Sequence, residues 1–303
     1  MSPAAQGQSD YAVAPELADI LAPPRQRSRI INFICRNPAI VTGATLLLLI
    51  VLVAVLAPWL GTVDPTEVEA LKRGRQPSAQ FWFGTDMLGR DLYSRVIYGA
   101  RISLIVGVAA AVLSATMGTL IGLLSGFLRW LDAIVMRMMD GLMSVPSILL
   151  AIALMALTRA SVENVIIAIS VADIPRVSRL IRGLVLGLRE QPFVEAAVAS
   201  GTRIPKIIFK HILPHTLAPL MVNFTFSCAA AMVTEATLSF IGAGTPPIIP
   251  SWGNIMAEGR AIWQIKPYIV FFPAAFLCVT VLAVNMLGDG LRDALDPRLT
   301  KRL

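Results

Sequence analysis

The sequence predicts an all-α integral membrane protein with six transmembrane helices. Hydrophobic residues make up 56% of the 303 residues and charged residues only 15%, whereas soluble domains carry roughly a quarter charged residues. The apolar residues are also segregated into blocks about as long as a bilayer is thick. The net charge of +7 fits the same class, because the basic residues lie in short segments between apolar blocks and not on one face that would follow nucleic acid.

Each apolar block is long enough, or nearly so, for one helix. The first lies in a charge-free stretch that ends at residue 63, and the fourth is the weakest because it is apolar only to residue 172 and then carries Asp173 and three arginines. The predicted membrane segments are residues 37–60, 102–128, 141–158, 164–182, 215–242 and 267–288.

The distribution of basic residues predicts the orientation. With the N-terminus in the cytoplasm, 17 of the 26 lysines and arginines lie on the cytoplasmic side and nine on the other side, as the positive-inside rule requires. The first apolar block is too long for a signal peptide and is interpreted as an uncleaved anchor. The predicted organisation is a cytoplasmic tail (1–36), the first helix (37–60), an external loop (61–98), a core of five helices (99–289) and a cytoplasmic tail (290–303).

The longest predicted cytoplasmic loop, residues 190–214, has the pattern of a helix, a turn and a second helix. Pro192 and Pro205 stand where a first-turn proline is tolerated, and Gly201 between them supplies a turn that other residues resist. The first helix has a face of small residues: Ala196, Ala197, Ala199 and Ser200. Two interpretations stay open at this point, a helical element that docks into a partner's groove and an amphipathic loop on the membrane surface.

The spacing within this loop resembles the signature loop of ABC importer permeases. That signature is Glu-Ala-Ala, three residues, Gly, nine residues and a four-residue element that ends in Leu-Pro. It is found here at residues 195–197, Gly201 and residues 211–214. His211 stands where the general motif has isoleucine, and this departure resembles the dipeptide, oligopeptide and nickel branch. In that family the loop is the coupling helix, which is seated in a cleft of the ATPase subunit.

The resemblance extends over nearly the whole chain. Phe-Gly-Thr-Asp at residues 83–86, with residues 89–104, looks like the segment ahead of the second span in the "C-type" permeases of that branch. Residues 238–253 resemble its last external loop, and residues 285–298 resemble its C-terminal ending. One block departs. Residues 171–176 (Val-Ala-Asp-Ile-Pro-Arg) stand where relatives show a Trp and an aromatic residue or Met before Ala-Arg, and the proline is expected to disturb the fourth helix.

The resemblance implies the type I importer permease fold and a subunit with no catalytic residues and no cofactor of its own. ATP and magnesium would be bound by one or two partner ATPase subunits, a homologous second permease would complete the translocation path, and a periplasmic or lipid-anchored binding protein would deliver substrate. The implied location is the bacterial plasma (inner) membrane. The residues expected to couple to the ATPase are Glu195, Ala196, Ala197, Gly201, Arg203, Leu213 and Pro214.

The resemblance favours di- or oligopeptides as substrates and leaves nickel chelates, glutathione, opines and oligosaccharides open. A stand-alone secondary transporter is a distant alternative, since it needs intramembrane charges or broken helices, for which the sequence offers Asp173 and Glu235. A membrane-embedded enzyme is disfavoured because the sequence shows neither a nucleophile with a base nor a metal-ligand pattern. Its three cysteines lie far apart and it has two histidines.

Several charged residues have structural interpretations. Asp86, Arg90, Asp91 and Arg95 are expected to pair among themselves in the external loop. The glycines around them imitate a phosphate-binding loop, but the Lys and Ser/Thr that such a loop requires are absent.

The two carboxylates of the apolar segments also have a structural interpretation. Glu235 is expected to lie near the external interface or to pair with a backbone group of the bundle, although an ionisable residue within a membrane segment is by default a candidate for function. Asp173 is expected to pair with Arg176 or Arg179 at the membrane boundary. Neither carboxylate is therefore assigned to a substrate or proton pathway from the sequence.

Overall fold

The computed structural model describes residues 37–295, which form a helical protein. Within that range the regular structure is helical apart from one isolated β-bridge between Thr85 and Asp91. Contacts divide the chain into residues 1–38, nearly all of which lie outside the described range, and residues 39–303. The predicted N-terminal tail (1–36) and the last eight residues of the predicted C-terminal tail (296–303) fall outside the described residues.

Nine helices are numbered here in chain order within the described range. They are α1 (Pro38–Val55), α2 (Leu92–Phe127), α3 (Arg129–Met143), α4 (Ser147–Ala156), α5 (Val162–Leu188), α6 (Pro192–Ala199), α7 (Ile204–Phe240), α8 (Trp252–Gly259) and α9 (Tyr268–Leu295). Helix α7 contains a π-helical segment, Ile207–Ile212, before its long α-helical part, Leu213–Phe240. Two 3-10 turns, Ala57–Trp59 and Ala70–Lys72, lie between α1 and α2.

Four of these helices, α1, α2, α7 and α9, are each long and apolar enough to cross a membrane. Helices α3 and α4 qualify only as a pair bent by 87°, so the described residues contain four candidate spans, or five if that pair is counted as one. The predicted third segment, 141–158, is therefore interrupted. Its break lies between Met143 and Ser147, where Pro146 has non-helical backbone (φ −52°, ψ 132°) and no backbone N–H to donate.

Helix α5 corresponds to the predicted fourth span, but it contains too many charged residues to count among the candidate membrane spans. Six spans therefore remain a prediction. The expected disturbance at Pro175 is not a break, since α5 continues through this residue from Val162 to Leu188. Neighbouring helices tolerate such prolines by packing around the freed backbone groups, and Pro175 is buried in the bundle.

Three glycines of α2 form a close contact with α5. They are spaced four residues apart, so they lie on one face of the helix. A Cβ on each would come within 2.5–2.7 Å of an atom of α5. The pairs are Gly118 with Val177, Gly122 with Ser178 and Gly126 with Val185. This stripe fixes α5 directly against α2.

Helix α2 joins the two ends of the molecule because its 36 residues extend over about 54 Å. It begins at Leu92, within the predicted external loop, where the Asp91 side chain accepts a hydrogen bond from the Ser94 backbone N–H as an N-cap. At this end it packs against α8, whose fully buried Trp252 donates its indole N–H to the Val96 carbonyl at 3.0 Å. At the other end Leu123 packs beneath residues 190–214.

Candidate docking site

Residues 190–206, called the hairpin below, form the helix–turn–helix that the sequence predicts. Helix α6 begins with Pro192 in its first turn and ends at Ala199. Gly201 follows with φ +72°, a backbone conformation that residues with a Cβ adopt rarely. Its N–H donates to the Val198 carbonyl at 2.9 Å, and the Thr202 N–H donates to the Ala197 carbonyl at 3.0 Å. These two bonds are a Schellman motif, which ends α6 sharply.

The second arm of the hairpin continues directly into a long membrane helix. Arg203 has extended backbone, Pro205 lies in the first turn of α7, and the π-helical segment follows at once. A π-helical segment places an extra residue in the turn and is uncommon in helices. Because no loop separates the hairpin from α7, a movement of the hairpin would move that helix directly.

An apolar base holds the hairpin on the bundle. Val194 and Ala197 of α6 are buried together with Ile207, Ile208 and Ile212 of α7. The same cluster includes residues of α2 and α5, namely Leu123, Val177, Ile181 and Val185. The Phe193 ring stacks on the His215 ring with centroids 5.1 Å apart. The hairpin is therefore fixed to three helices at once.

The opposite surface of the hairpin is exposed. Of the predicted coupling residues, Glu195, Ala196, Gly201, Arg203 and Pro214 are exposed, and Leu213 is partly buried. None of the charged side chains of this hairpin forms an ion pair with another described residue.

Ala197 does not belong to the exposed face of small residues to which the sequence pattern assigned it. It lies three residues after Val194, so both side chains point to the same side of α6, and that side is the buried base. The exposed small face therefore consists of Ala196, Ala199 and Ser200. The helical period of α6 was readable from the sequence, but which side of the helix faces the bundle was not.

A second polar site lies where α2 begins. The Asp86 carboxylate accepts hydrogen bonds from Arg90 Nε and Arg95 Nη1, each at 2.6 Å. Glu258 of α8 accepts from the same two guanidinium groups. Asp86 and Arg95 are fully buried. The predicted pairing of Asp86 with the arginines is confirmed, Asp91 serves as a helix cap, and Glu258 was missed because it is 163 residues away from Arg95.

Glu235 is fully buried in α7 and pairs with side chains, not with the backbone. The Ser239 hydroxyl donates to Oε1 at 2.8 Å, and the Ser103 hydroxyl of α2 lies 3.3 Å from Oε2. The Ser103 oxygen also accepts a bond from the Trp252 backbone N–H at 3.4 Å. Glu235 is thus part of a hydroxyl network that joins α2 and α7 to the start of α8.

Comparison with known proteins identifies the chain. Residues 118–301 match the family described as the inner membrane component of binding-protein-dependent transport systems. Residues 28–77 match the N-terminal transmembrane domain of oligopeptide transport permease C.

Individual relatives agree with these matches. A probable peptide ABC transporter permease of Sinorhizobium fredii is 50% identical over 281 residues, which cover 93% of this chain and 96% of the relative. A dipeptide transport system permease of Alkalihalophilus pseudofirmus is 41% identical, covering 87% of each chain. A glutathione transport system permease of Escherichia coli is 43% identical, covering 87% of this chain and 88% of the relative. With a family match over more than half of its length and relatives of this similarity, the chain belongs to the inner membrane components of binding-protein-dependent transport systems, the multi-pass permeases of ABC importers.

Proposed function

We propose that this chain forms half of the translocation path of an ATP-driven importer of di- or oligopeptides, and that its hairpin docks a separate ATPase subunit. The observation that carries the proposal is the contrast between the two sides of the hairpin. One side is fixed by the buried base on α2, α5 and α7. The other side is exposed, includes the small residues Ala196, Ala199 and Ser200, and forms no ion pair with another described residue. A rigid element with an unused small surface suits docking of a helix into a groove.

The proposed topology has six spans with both termini in the cytoplasm. The distribution of 17 basic residues against nine supports this orientation, and it places the hairpin on the cytoplasmic side, where ATP is available. Helix α5 would be the fourth span, with its charged side chains facing protein or water because lipid would not accept them. The bent pair α3 and α4 would be the third.

The proposed assembly has this chain beside a homologous permease. One or two ATP-binding subunits would bind ATP and magnesium, so this chain needs no cofactor and carries no catalytic residue. A periplasmic or lipid-anchored binding protein would deliver the substrate. The names of two relatives, which specify peptide and dipeptide transport, support a peptide substrate. A tripeptide, glutathione, is the second candidate, because a relative of 43% identity is named for it.

The mechanism follows from how the hairpin is attached. ATP binding would draw the two ATPase subunits together and move both docked hairpins. Because the buried base joins the hairpin to α2, α5 and α7, these helices would move with it, and access would change sides by rocking of one half against the other. A change of populations from 1:99 to 99:1 requires about 5.5 kcal/mol of differential affinity, which nucleotide binding can supply.

The test is Gly201→Asp in the reconstituted assembly. A Cβ at Gly201 meets no atom within 4 Å inside the chain, so the aspartate would project into the docked partner. We expect loss of substrate-stimulated ATP hydrolysis with normal membrane insertion, measured as phosphate release with and without the binding protein and a dipeptide.

Gly61→Asp is the matched control. Gly61 also has positive φ, +69°, and open space around a Cβ, but it lies in the predicted external loop. It introduces the same charge and the same backbone strain, and we expect coupled hydrolysis to persist. Normal coupling in Gly201→Asp, or equal loss in both variants, would contradict docking through the hairpin.

A further inference from the structure

A small polar cavity lies halfway along the helices of the bundle. Its volume is about 40 Å³, and it is formed by α2, α4, α5 and α7 close to the midpoints of α2, α5 and the α-helical part of α7. Small apolar residues form much of its wall. Its polar lining residues are Ser114, Ser147, Asp173, Arg176, Ser227 and Thr234.

Asp173 is held in this cavity with unused hydrogen-bonding capacity. The Ser227 hydroxyl of α7 donates to Oδ2 at 2.7 Å. The Arg176 guanidinium lies 3.6 Å from Oδ1, which is an ion-pair distance but too long for a hydrogen bond. The expected pairing with Arg176 is thus present, but it is loose. A carboxylate can accept about four hydrogen bonds, and the described residues supply one.

Two neighbouring ion pairs of α5 differ from the Asp173–Arg176 pair because their charged groups are in direct hydrogen-bond contact. Arg182 donates from both Nε and Nη2 to the two oxygens of Asp132 on α3. Arg179 donates a hydrogen bond to Asp140, which is also on α3. Both pairs join α5 to α3, whereas Asp173 and Arg176 are one turn apart on a single helix and join nothing by their own contact. The Asp173–Arg176 contact therefore joins no two helices, and the hydrogen bond from Ser227 is what links Asp173 to α7.

The position along the bundle strengthens this contrast. Asp173 lies about 16 Å from the start of α5, and its partner Ser227 is near the middle of α7. Ionisable groups at such depth face a water-filled path or each other, and they mark substrate and ion pathways. Secondary transporters bind their substrates at a similar depth, near the bilayer midplane.

We propose that this site binds the charged ends of a zwitterionic substrate in transit, with Asp173 and Ser227 receiving the ammonium group inside the cavity and Arg176, whose side chain is 59% exposed, receiving the carboxylate. The inference rests on the proposed function and specifies how the permease would recognise its cargo. The cavity is too small for a whole peptide but large enough for an ammonium group, which is the size of a water molecule. An ammonium brings three donors, which match the open positions on Asp173. A site that recognises only the chain ends would accept peptides with different side chains.

The first test measures the charge preference of the cavity by thiol labelling. The complex with its partner subunits is reconstituted with its native cysteines replaced by serine and with Thr234→Cys as reporter. It is treated with a trimethylammonium and a sulfonate methanethiosulfonate of similar size. We expect the ratio of cation to anion labelling rates to fall about threefold or more in Asp173→Asn and to rise by a similar factor in Arg176→Gln.

Matched controls separate this local effect from net charge. Asp140→Asn and Arg179→Gln remove the same charges from a pair outside the cavity, and the Arg179 side chain (51% exposed) is about as exposed as that of Arg176 (59%), so the ratio should stay nearly constant. Ser227→Ala keeps the charge of Asp173 and should lower the ratio in the same direction by a smaller factor. An unlabelled reporter, or equal changes in the cavity and control variants, would overturn the proposal.

The second test asks whether chain ends occupy the site. Dialanine at millimolar concentration should slow labelling of Thr234→Cys, and dialanine with an acetylated N-terminus and an amidated C-terminus should not. Asp173→Asn should remove the protection. Equal protection by both peptides, or none, would overturn the assignment. The labelling needs no ATP, so its outcome is independent of the hydrolysis assay. Failed protection with coupled hydrolysis that is lost in Gly201→Asp would contradict the cavity assignment alone. Protection by dialanine with normal coupling in Gly201→Asp would contradict the proposed docking alone.

Discussion

The two regions that pack at opposite ends of α2 differ in whether their charged residues are buried and paired. At the start of α2, the buried Arg90 and Arg95 each donate hydrogen bonds to the buried Asp86 and to Glu258. At its other end, the charges of the hairpin are exposed and have no ion-pair partner among the described residues. The hairpin has its own buried base of apolar residues, so its exposed surface is not needed to hold it in place.

This difference separates charges that build the protein from charges that are available to a partner. Removing one member of a buried network leaves its partner desolvated and unpaired, which is strongly destabilising. Changing an exposed, unpaired charge alters stability little, so its effect must be sought in assembly. Substitutions at the two ends of α2 should therefore separate stability from coupling.

The largest effect on stability is expected for Arg95→Met. This substitution removes a fully buried guanidinium that contacts both Asp86 and Glu258, and we expect a loss of about 3–5 kcal/mol in the free energy of unfolding. Lys72→Met is the control, because Lys72 forms a partly exposed pair with Glu69 and should change stability by less than about 1 kcal/mol. Thermal unfolding in detergent measures both. Similar shifts for the two variants would refute the structural role of the cluster.

A smaller effect is expected for Gly122→Ala in the contact between α2 and α5. A Cβ there would lie 2.6 Å from the Ser178 carbonyl oxygen and 2.7 Å from the Ile181 Cβ, so the helices must separate, which costs about 1–3 kcal/mol. Gly183→Ala in α5 is the matched control, since its Cβ meets no atom within 4 Å. It should stabilise the protein by about 0.5–1 kcal/mol. The opposite signs make the comparison decisive, and destabilisation by both would argue against close packing as the cause.

The smallest effect on stability is expected for Glu195→Ala in the hairpin. Glu195 is exposed and pairs with no described residue, so unfolding should change by less than about 0.5 kcal/mol. Substrate-stimulated ATP hydrolysis in the reconstituted assembly should nevertheless fall. Glu258→Ala should show the reverse order, with lower stability and coupling that is intact in the folded fraction. Unchanged coupling in Glu195→Ala would remove this residue from the proposed docking surface.

The hairpin was predictable from the sequence because its structure is local. Pro192, Gly201 and Pro205 act through restrictions on their own backbones, and each lies where the pattern placed it. The same reasoning overestimated Pro175, because its effect depends on what surrounds the helix. Apolar length likewise located α1, α2, α7 and α9, but it treated residues 141–158 as one segment although the chain bends by 87° between α3 and α4.

The sequence by itself determined the class of the protein, the succession of apolar helices and a helix–turn–helix within residues 190–214, because hydropathy and backbone restrictions act over a few neighbouring residues. Only the tertiary structure decided that Glu258 completes the buried cluster with Arg95, that Ala197 faces the bundle and that Ser227 meets Asp173. These pairings depend on the rotation of each helix about its axis and on its neighbours. An apolar helix has nearly uniform sides, so its sequence leaves that rotation open until the packing of the whole bundle fixes it.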